Sequence, residues 1–338
     1  MKLKLFSAAA IALLATGAWA QNLNGAGATF PNPIYSRWFA EYAQLHPNAH
    51  INYQSVGSGA GIRQVTEKTV DFGASDGPMT DQQLAEAKSH GLNIIHIPTV
   101  LGAVVPVYNV PGVSQDLHLA PEVIAGIYLG KIEYWDDGNL KHDNPGVNLP
   151  HHKILPVYRS DGSGTTYIWT DFLSKVVPDF QQQIGKGTSV KWPIGIGQKG
   201  NEGVAGMVRS SPYSFGYVEL IYALQNHMPF GLVRNASGKY LKASVEGVTA
   251  AAAGAAKNMP ADFRVSITNA PGADAYPISS FTWLLIPQHW DDQAKEKVMV
   301  DFLHWMLEHG EGEVSALNYA PLPKAVAEKV NAAINQIH

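Results

Sequence analysis

An α/β fold in two domains is predicted by three features of this sequence. Segments with strand-like and helix-like apolar spacing alternate along the chain. Three strand-to-helix junctions are glycine-rich turns that carry a hydroxyl residue: Gly25–Phe30, Gly57–Gly61 and Asp161–Thr166. Of the 338 residues, about 318 remain after an expected leader, more than a single core usually supports.

The leader comes first. Met1-Lys2-Leu3-Lys4 precedes an apolar run from Leu5 to Leu14 and then Ala18-Trp19-Ala20, the pattern of a cleavable secretory signal peptide over residues 1–20. Gln21 would begin the mature chain. The run is too short to span a membrane. The sequence has no cysteine, so neither a lipid anchor nor a disulfide is expected. A soluble protein of the periplasm of a two-membrane bacterium follows, with free secretion as the alternative. Loss of the two leader lysines leaves 22 basic against 28 acidic residues, a net charge near −6. Scattered acidic charge excludes a nucleic-acid surface, and any bound anion must be held by local geometry against the global field.

In chain order, Leu23–Ala28 reads as a short strand. Pro31-Asn32-Pro33 opens a helix whose apolar stripe is Tyr35, Trp38, Phe39, Tyr42 and Leu45. Ile51–Val56 alternates as a strand, and a helix follows through Ile62, Val65 and Thr69. Val70–Ala74 is another strand. Thr80 with Gln83 forms a capping box. Leu92–Val110 is a long apolar stretch interrupted by Pro98 and Pro106, a crossing point between domains. Pro121 opens a further helix, and Asp136-Asp137-Gly138 marks a turn. Residues 201–210 are helical, entered from the glycine-rich Gly195–Gly200 loop. Ser279–Pro287 is a strand returning to the first core. Two helices, marked by Val298, Phe302 and Trp305 and by Val326, Val330 and Ile334, close the chain.

Chemistry concentrates in the turns. Arg159-Ser160-Asp161-Gly162-Ser163-Gly164-Thr165-Thr166 follows an apolar strand and opens a helix. Backbone N–H groups at the positive end of a helix, hydroxyls at Ser163, Thr165 and Thr166, and the planar donor fork of Arg159 together suit a small tetrahedral oxyanion. An N-capped helix after a tight turn would look the same in sequence. The loops around Thr29 and Ser58 repeat the pattern, and convergence of all three would focus several helix N-termini on one anion. Asp76, after a short strand, adds a carboxylate. As an Asx-turn before Gly77-Pro78 it is structural. In an anion site it would accept a proton that phosphate carries near neutral pH and sulfate does not.

These segments resemble the PstS family, the periplasmic phosphate-binding proteins of phosphate ABC transporters. The similarity runs over nearly the whole mature chain, through GAGATFP (25–31), VDFGASD (70–76), YLGKIEYW (128–135), DGSGT (161–165), VKWPIG (190–195) and FGYVE (215–219). The resemblance implies the type II periplasmic binding protein fold, two α/β lobes joined by crossing strands with the ligand between them. Lobe I would comprise 21–102 and 277–338, and lobe II 103–276. Thr29 and Phe30 would bind phosphate through backbone N–H, Thr29 and Ser58 also through hydroxyls, and Asp76 would accept the ligand's proton. Arg159 would supply the cation, Asp161 would hold its fork, and Ser163, Gly164 and Thr165 would donate from lobe II. The chain departs from the family pattern at Gly59-Ala60-Gly61, where a second serine and two glycines are usual. Implied partners are inorganic phosphate and the membrane permease subunits; the protein would be a monomer with no cofactor, no metal and no enzymatic activity.

A phosphoester hydrolase with Ser58 or Ser163 as nucleophile lacks the G-x-S-x-G elbow, since residue 56 is Val and residue 161 is Asp. No Walker loop is present. Gly195-x-Gly197-x-x-Gly200 has dinucleotide spacing without a clear preceding strand, and His151-His152 lacks ligand-spaced companions. Arsenate binding and an extracellular phosphate scavenger remain alternatives.

Overall fold

A computed structural model describes residues 21–338; the expected leader lies outside the described residues. Along the chain run β1 (Gln21–Gly27), β2 (Ala49–Ser55), β3 (Phe72–Ser75), β4 (Ile94–Asn109), β5 (His118–Leu119) and β6 (Leu155–Arg159). Then come β7 (Ile196–Gln198), β8 (Ser214–Glu219), β9 (Leu232–Arg234), β10 (Tyr240–Leu241) and β11 (Ser279–Pro287). Eight of them form one sheet in the order β2-β1-β3-β11-β4-β8-β6-β7, and β10-β9-β5 form a small second sheet.

The large sheet is parallel towards both edges and antiparallel in its middle. β1 pairs in parallel with β2 and β3, and β6 with β7 and β8. Parallel neighbours need a crossover, which the helices Asn32–Leu45, Ser58–Thr66 and Gly164–Val176 help to supply. In the middle, the 16-residue β4 pairs with β11 along residues 94–103 and with β8 along 104–109. Both prolines of the long apolar stretch therefore lie inside one strand. Pro98 has no N–H for a ladder bond, and the register slips there: Trp283 faces Pro98 while Thr282 faces Val100, leaving Thr99 as the extra residue.

The core is rich in aromatic rings, the side chains that bury most area. Tyr35, Trp38, Phe39 and Tyr42 of the first helix are buried. A second group, Tyr128, Trp169, Phe215 and Tyr217, packs over the β6–β8 part of the sheet. The stripe stops short of Leu45, which is 63% exposed; the ring of His46 stacks on Tyr42 instead, with centroids 4.3 Å apart. The second helix ends at Thr66 and excludes Thr69, because Lys68 takes a left-handed backbone (φ 57°). Asp136-Asp137-Gly138 is more than a turn. The Asp137 carboxylate accepts from Asn139 N–H at 2.8 Å and caps a short helix, Gly138–Asp143. Thr80 and Gln83 do form the expected capping box.

Candidate anion-binding site

The carboxyl ends of β1, β3 and β6 point at one place, where ligands of open α/β sheets gather. The N-termini of four helices meet there: Asn32–Leu45, Ser58–Thr66, Gly164–Val176 and Gly200–Ser210. Each contributes first-turn N–H groups that have no partner within the helix, at the positive end of its dipole.

Thr29 and Phe30 join β1 to the first helix, and both are buried. Three consecutive carbonyls around them are taken by tyrosine hydroxyls: Ala28 by Tyr53 at 2.7 Å, Thr29 by Tyr222 at 2.5 Å and Phe30 by Tyr319 at 2.6 Å. Burial pushes the pKa of all three phenols up beyond the ordinary tyrosine range, so they remain protonated donors. With its carbonyls engaged, the loop is left with N–H and O–H groups to offer a ligand.

Ser58 and Asp76 are both buried to within 1%. Ser58 Oγ accepts from the backbone N–H of Gly164 at 3.0 Å and of Asp76 at 3.3 Å, and lies 3.5 Å from Asp76 Oδ2. The other carboxylate oxygen, Oδ1, accepts from Thr282 Oγ1 at 2.7 Å. Burial pushes the Asp76 carboxyl up to about 7, against the opposing pull of Thr282, Arg159 and Ser58. Asp76 therefore stands where it can hold or release a proton near neutral pH.

Arg159 ends β6 with its side chain 1% exposed. Its fork grips Asp161, Nε to Oδ1 at 2.8 Å and Nη2 to Oδ2 at 2.5 Å, and Nη1 reaches Thr165 Oγ1 at 3.4 Å. Burial raises the Asp161 carboxyl, but the Arg159 bonds and charge and the Gly200 N–H (3.1 Å) outweigh it and hold the group below the usual range. The pairing between Arg159 and Asp161 is thus present. Ser163 is the N-cap of the helix, its Oγ accepting from Thr166 N–H at 3.0 Å, while its own N–H goes to Thr188 O at 2.7 Å. Only its hydroxyl hydrogen is left to donate. Gly164 and Thr165 begin the helix and are buried.

Nine of the ten residues singled out in the sequence are therefore gathered at one spot; the tenth, Thr166, turns its hydroxyl to the phenol of Tyr217 at 2.7 Å. Three further residues at that spot were not singled out. Asn201 is wholly buried and bonds Thr29 Oγ1 (2.8 Å) and Thr165 Oγ1 (3.1 Å) through Nδ2. It opens the fourth helix, from the Gly195–Gly200 loop that matched only a dinucleotide spacing; in the structure β7 lies inside that spacing, not before it. Thr282, at the β4–β11 bulge, steadies Asp76, and Tyr222 caps the Thr29 carbonyl. A strand followed by a small-residue turn and a helix was the available signal for Asn201. For Thr282 and Tyr222, far along the chain from their partners, no local signal exists.

Comparison with known proteins places the chain as a whole. The family model for the PBP superfamily domain matches residues 15–309. The phosphate-binding protein PstS of Xylella fastidiosa (strain Temecula1) is 43% identical over 92% of this chain and 84% of its own length. That of Pasteurella multocida is 42% identical over 93% and 90%. Among solved structures, a phosphate-binding protein from Stenotrophomonas maltophilia superposes with a TM-score of 0.72 at 20% identity, covering 93% of this chain and 94% of its own. At that identity the superposition speaks for the fold, a type II periplasmic binding protein, and the sequence relatives speak for the lineage: the chain belongs to the PstS family of phosphate-binding proteins.

Proposed function

We propose that this protein captures inorganic phosphate in the periplasm, enclosed between two lobes, and delivers it to the permease of an ABC importer. The lobes are 21–102 with 277–338, and 103–276. The change of partner along β4, from β11 to β8 after Ala103, supports that division. Thr29, Phe30, Ser58 and Asp76 come from lobe I, and Arg159, Ser163, Gly164 and Thr165 from lobe II. Neither lobe holds a whole site, so ligand favours closure, and a closed form is what a permease can distinguish.

One observation carries the reading: a buried cradle of donors into which Asp76 brings a carboxylate that burial holds to a pKa near neutral. Backbone N–H, hydroxyl and guanidinium groups would surround phosphate oxygens, and Asp76 would take the hydrogen bond of a protonated one. Sulfate would bring a lone pair to that carboxylate in its place. Binding without turnover is part of the proposal. Ser58 Oγ accepts from two backbone N–H groups and Ser163 Oγ from one, an N-cap bond, so both hydroxyls are tied to the backbone as acceptors and keep their hydrogens to donate. The chain acts as a monomer, and the leader directs its export.

Calorimetric titration of the mature protein with phosphate, arsenate and sulfate at about pH 8.5, where Asp76 is ionised, tests this. Tight phosphate binding with weak sulfate binding is expected. Absence of phosphate binding would overturn the reading, and equal affinity for sulfate would overturn the role given to Asp76.

A further inference from the structure

Asn201 lies outside the set of groups expected to touch phosphate, yet its amide is fully committed within the site. Oδ1 accepts the Glu219 backbone N–H at 2.9 Å. An amide nitrogen turned towards that N–H would face donor with donor, so the orientation of the carboxamide follows from the network. Nδ2 then faces two oxygens, Thr29 Oγ1 at 2.8 Å and Thr165 Oγ1 at 3.1 Å, one for each of its hydrogens.

A hydroxyl has one hydrogen and two lone pairs. Thr29 Oγ1 receives Asn201 Nδ2 and, at 3.3 Å, the Asn201 backbone N–H. Thr165 Oγ1 receives Asn201 Nδ2 and, at 3.4 Å, Arg159 Nη1. Both oxygens have their lone pairs engaged, and the O–H hydrogen is the capacity that remains. We propose that Asn201 is a positioning residue: it holds the Thr29 and Thr165 hydroxyls in the donating orientation, so that a tetrahedral oxyanion meets two hydrogens and no lone pairs. The inference rests on the phosphate reading above. A threonine hydroxyl without such a partner rotates, and an oxyanion has to hold it against that freedom. Preorganised donors bind more tightly because that cost is met before the ligand arrives. The same amide joins Thr29 to Thr165 across the two proposed lobes: Thr165, in the lobe of Asn201, is oriented before the ligand arrives, and Thr29 is taken up as the lobes close. Aspartate at this position would keep the Glu219 contact but turn an acceptor towards both hydroxyls and draw their hydrogens away from the ligand.

The test is a double-mutant cycle in phosphate affinity, with Asn201→Ala, Thr29→Val and the double variant, and with melting measured in parallel without phosphate. N201A is expected to weaken phosphate binding roughly tenfold to a hundredfold, as two donors lose their orientation. In the T29V background the N201A penalty should shrink at least threefold, because one of the hydroxyls it orients is gone. Multiplicative losses overturn the inference, as does an N201A chain that melts lower but keeps its phosphate affinity. If N201A does not fold, Asn201→Ser takes its place in the same cycle, read by the same criterion. A wild-type chain that binds no phosphate overturns the functional reading itself, whereas wild-type binding with multiplicative losses overturns this inference alone.

Discussion

Replacing Gly164 by alanine should uncouple folding from binding. Gly164 is the first residue of its helix and has no left-handed backbone, so alanine suits the conformation and is the better helix former. The obstacle is the facing pair Ser58 and Asp76. The added Cβ would lie 2.5 Å from Ser58 Oγ and 2.6 Å from Asp76 Cβ, and closer still to Asp76 Oδ2. Ordinary contact begins near 3.4 Å, so the two sides must part by about 0.9 Å. Neither neighbour has slack, since Asp76 N–H holds Ser58 and Thr282 holds Asp76, all of them buried. A rigid shift of that size stretches the 3.0 Å bond from Gly164 N–H to Ser58 Oγ to nearly 4 Å, beyond hydrogen-bond range. The 2.8 Å bond from Gly59 N–H to Gly162 O opens with it.

Two net hydrogen bonds and one or two charge-assisted contacts to phosphate are then lost, together about 2–5 kcal/mol. That corresponds to a loss of roughly thirtyfold to several thousandfold in affinity. Calorimetry gives the affinity, thermal melting without phosphate gives the fold, and small-angle scattering with phosphate gives the closure. The expected result is an unchanged or slightly raised melting temperature, weak binding and less compaction on adding phosphate. A Gly164→Ala chain that binds within about threefold of wild type and compacts equally would refute the steric reasoning.

Three other outcomes are expected. Arg159→Ala should lose at least tenfold in phosphate affinity, and it should melt lower because Asp161, with a side chain 12% exposed, is left without its cation, a loss of about 3–5 kcal/mol for a buried pair. Adding Asp161→Asn should restore the melting temperature without the affinity; recovery of both would show that Arg159 acts only structurally. Burial pushes the Asp76 carboxyl up to about 7, so it is neutral below that pH and ionised above it. Sulfate, with no proton to give, needs the neutral form. Its affinity should therefore hold below about pH 7 and fall about tenfold per pH unit above it, which competition titrations between pH 5.5 and 8.5 would contradict by a flat profile. Asp76→Asn should fix sulfate affinity near its low-pH level, and above about pH 7 it should weaken discrimination against sulfate more than it weakens phosphate binding. Unchanged selectivity in that variant would remove Asp76 from the account.

The ligand loops were legible because each is local. A strand, a run of small residues and a helix start within about ten residues are enough to place Thr29, Ser58 and the Arg159–Thr165 segment, whatever the rest of the chain does. The pairing of Arg159 with Asp161 was implied by the family resemblance, and the structure shows it between residues two apart. Leu45 was misplaced because helical spacing marks a face but not how far along the axis the core extends, and His46 covers the position. In the Gly195–Gly200 loop, a spacing of glycines does not reveal what the following helix faces.

From the residues alone, then, came the alternation of elements, the glycine turns at helix starts, the Asp76 carboxylate set beside donors and the resemblance built on them. Only the tertiary structure decided which way the polar groups point. Tyr53, Tyr222 and Tyr319 withdraw three carbonyls from the site, Thr282 steadies Asp76 from a bulge more than 200 residues away, and Asn201 reaches the hydroxyls of Thr29 and Thr165. Those contacts join residues distant in sequence, and hydrogen-bond direction depends on which groups end up within about 3 Å of one another. That is a property of the packed fold and not of any segment.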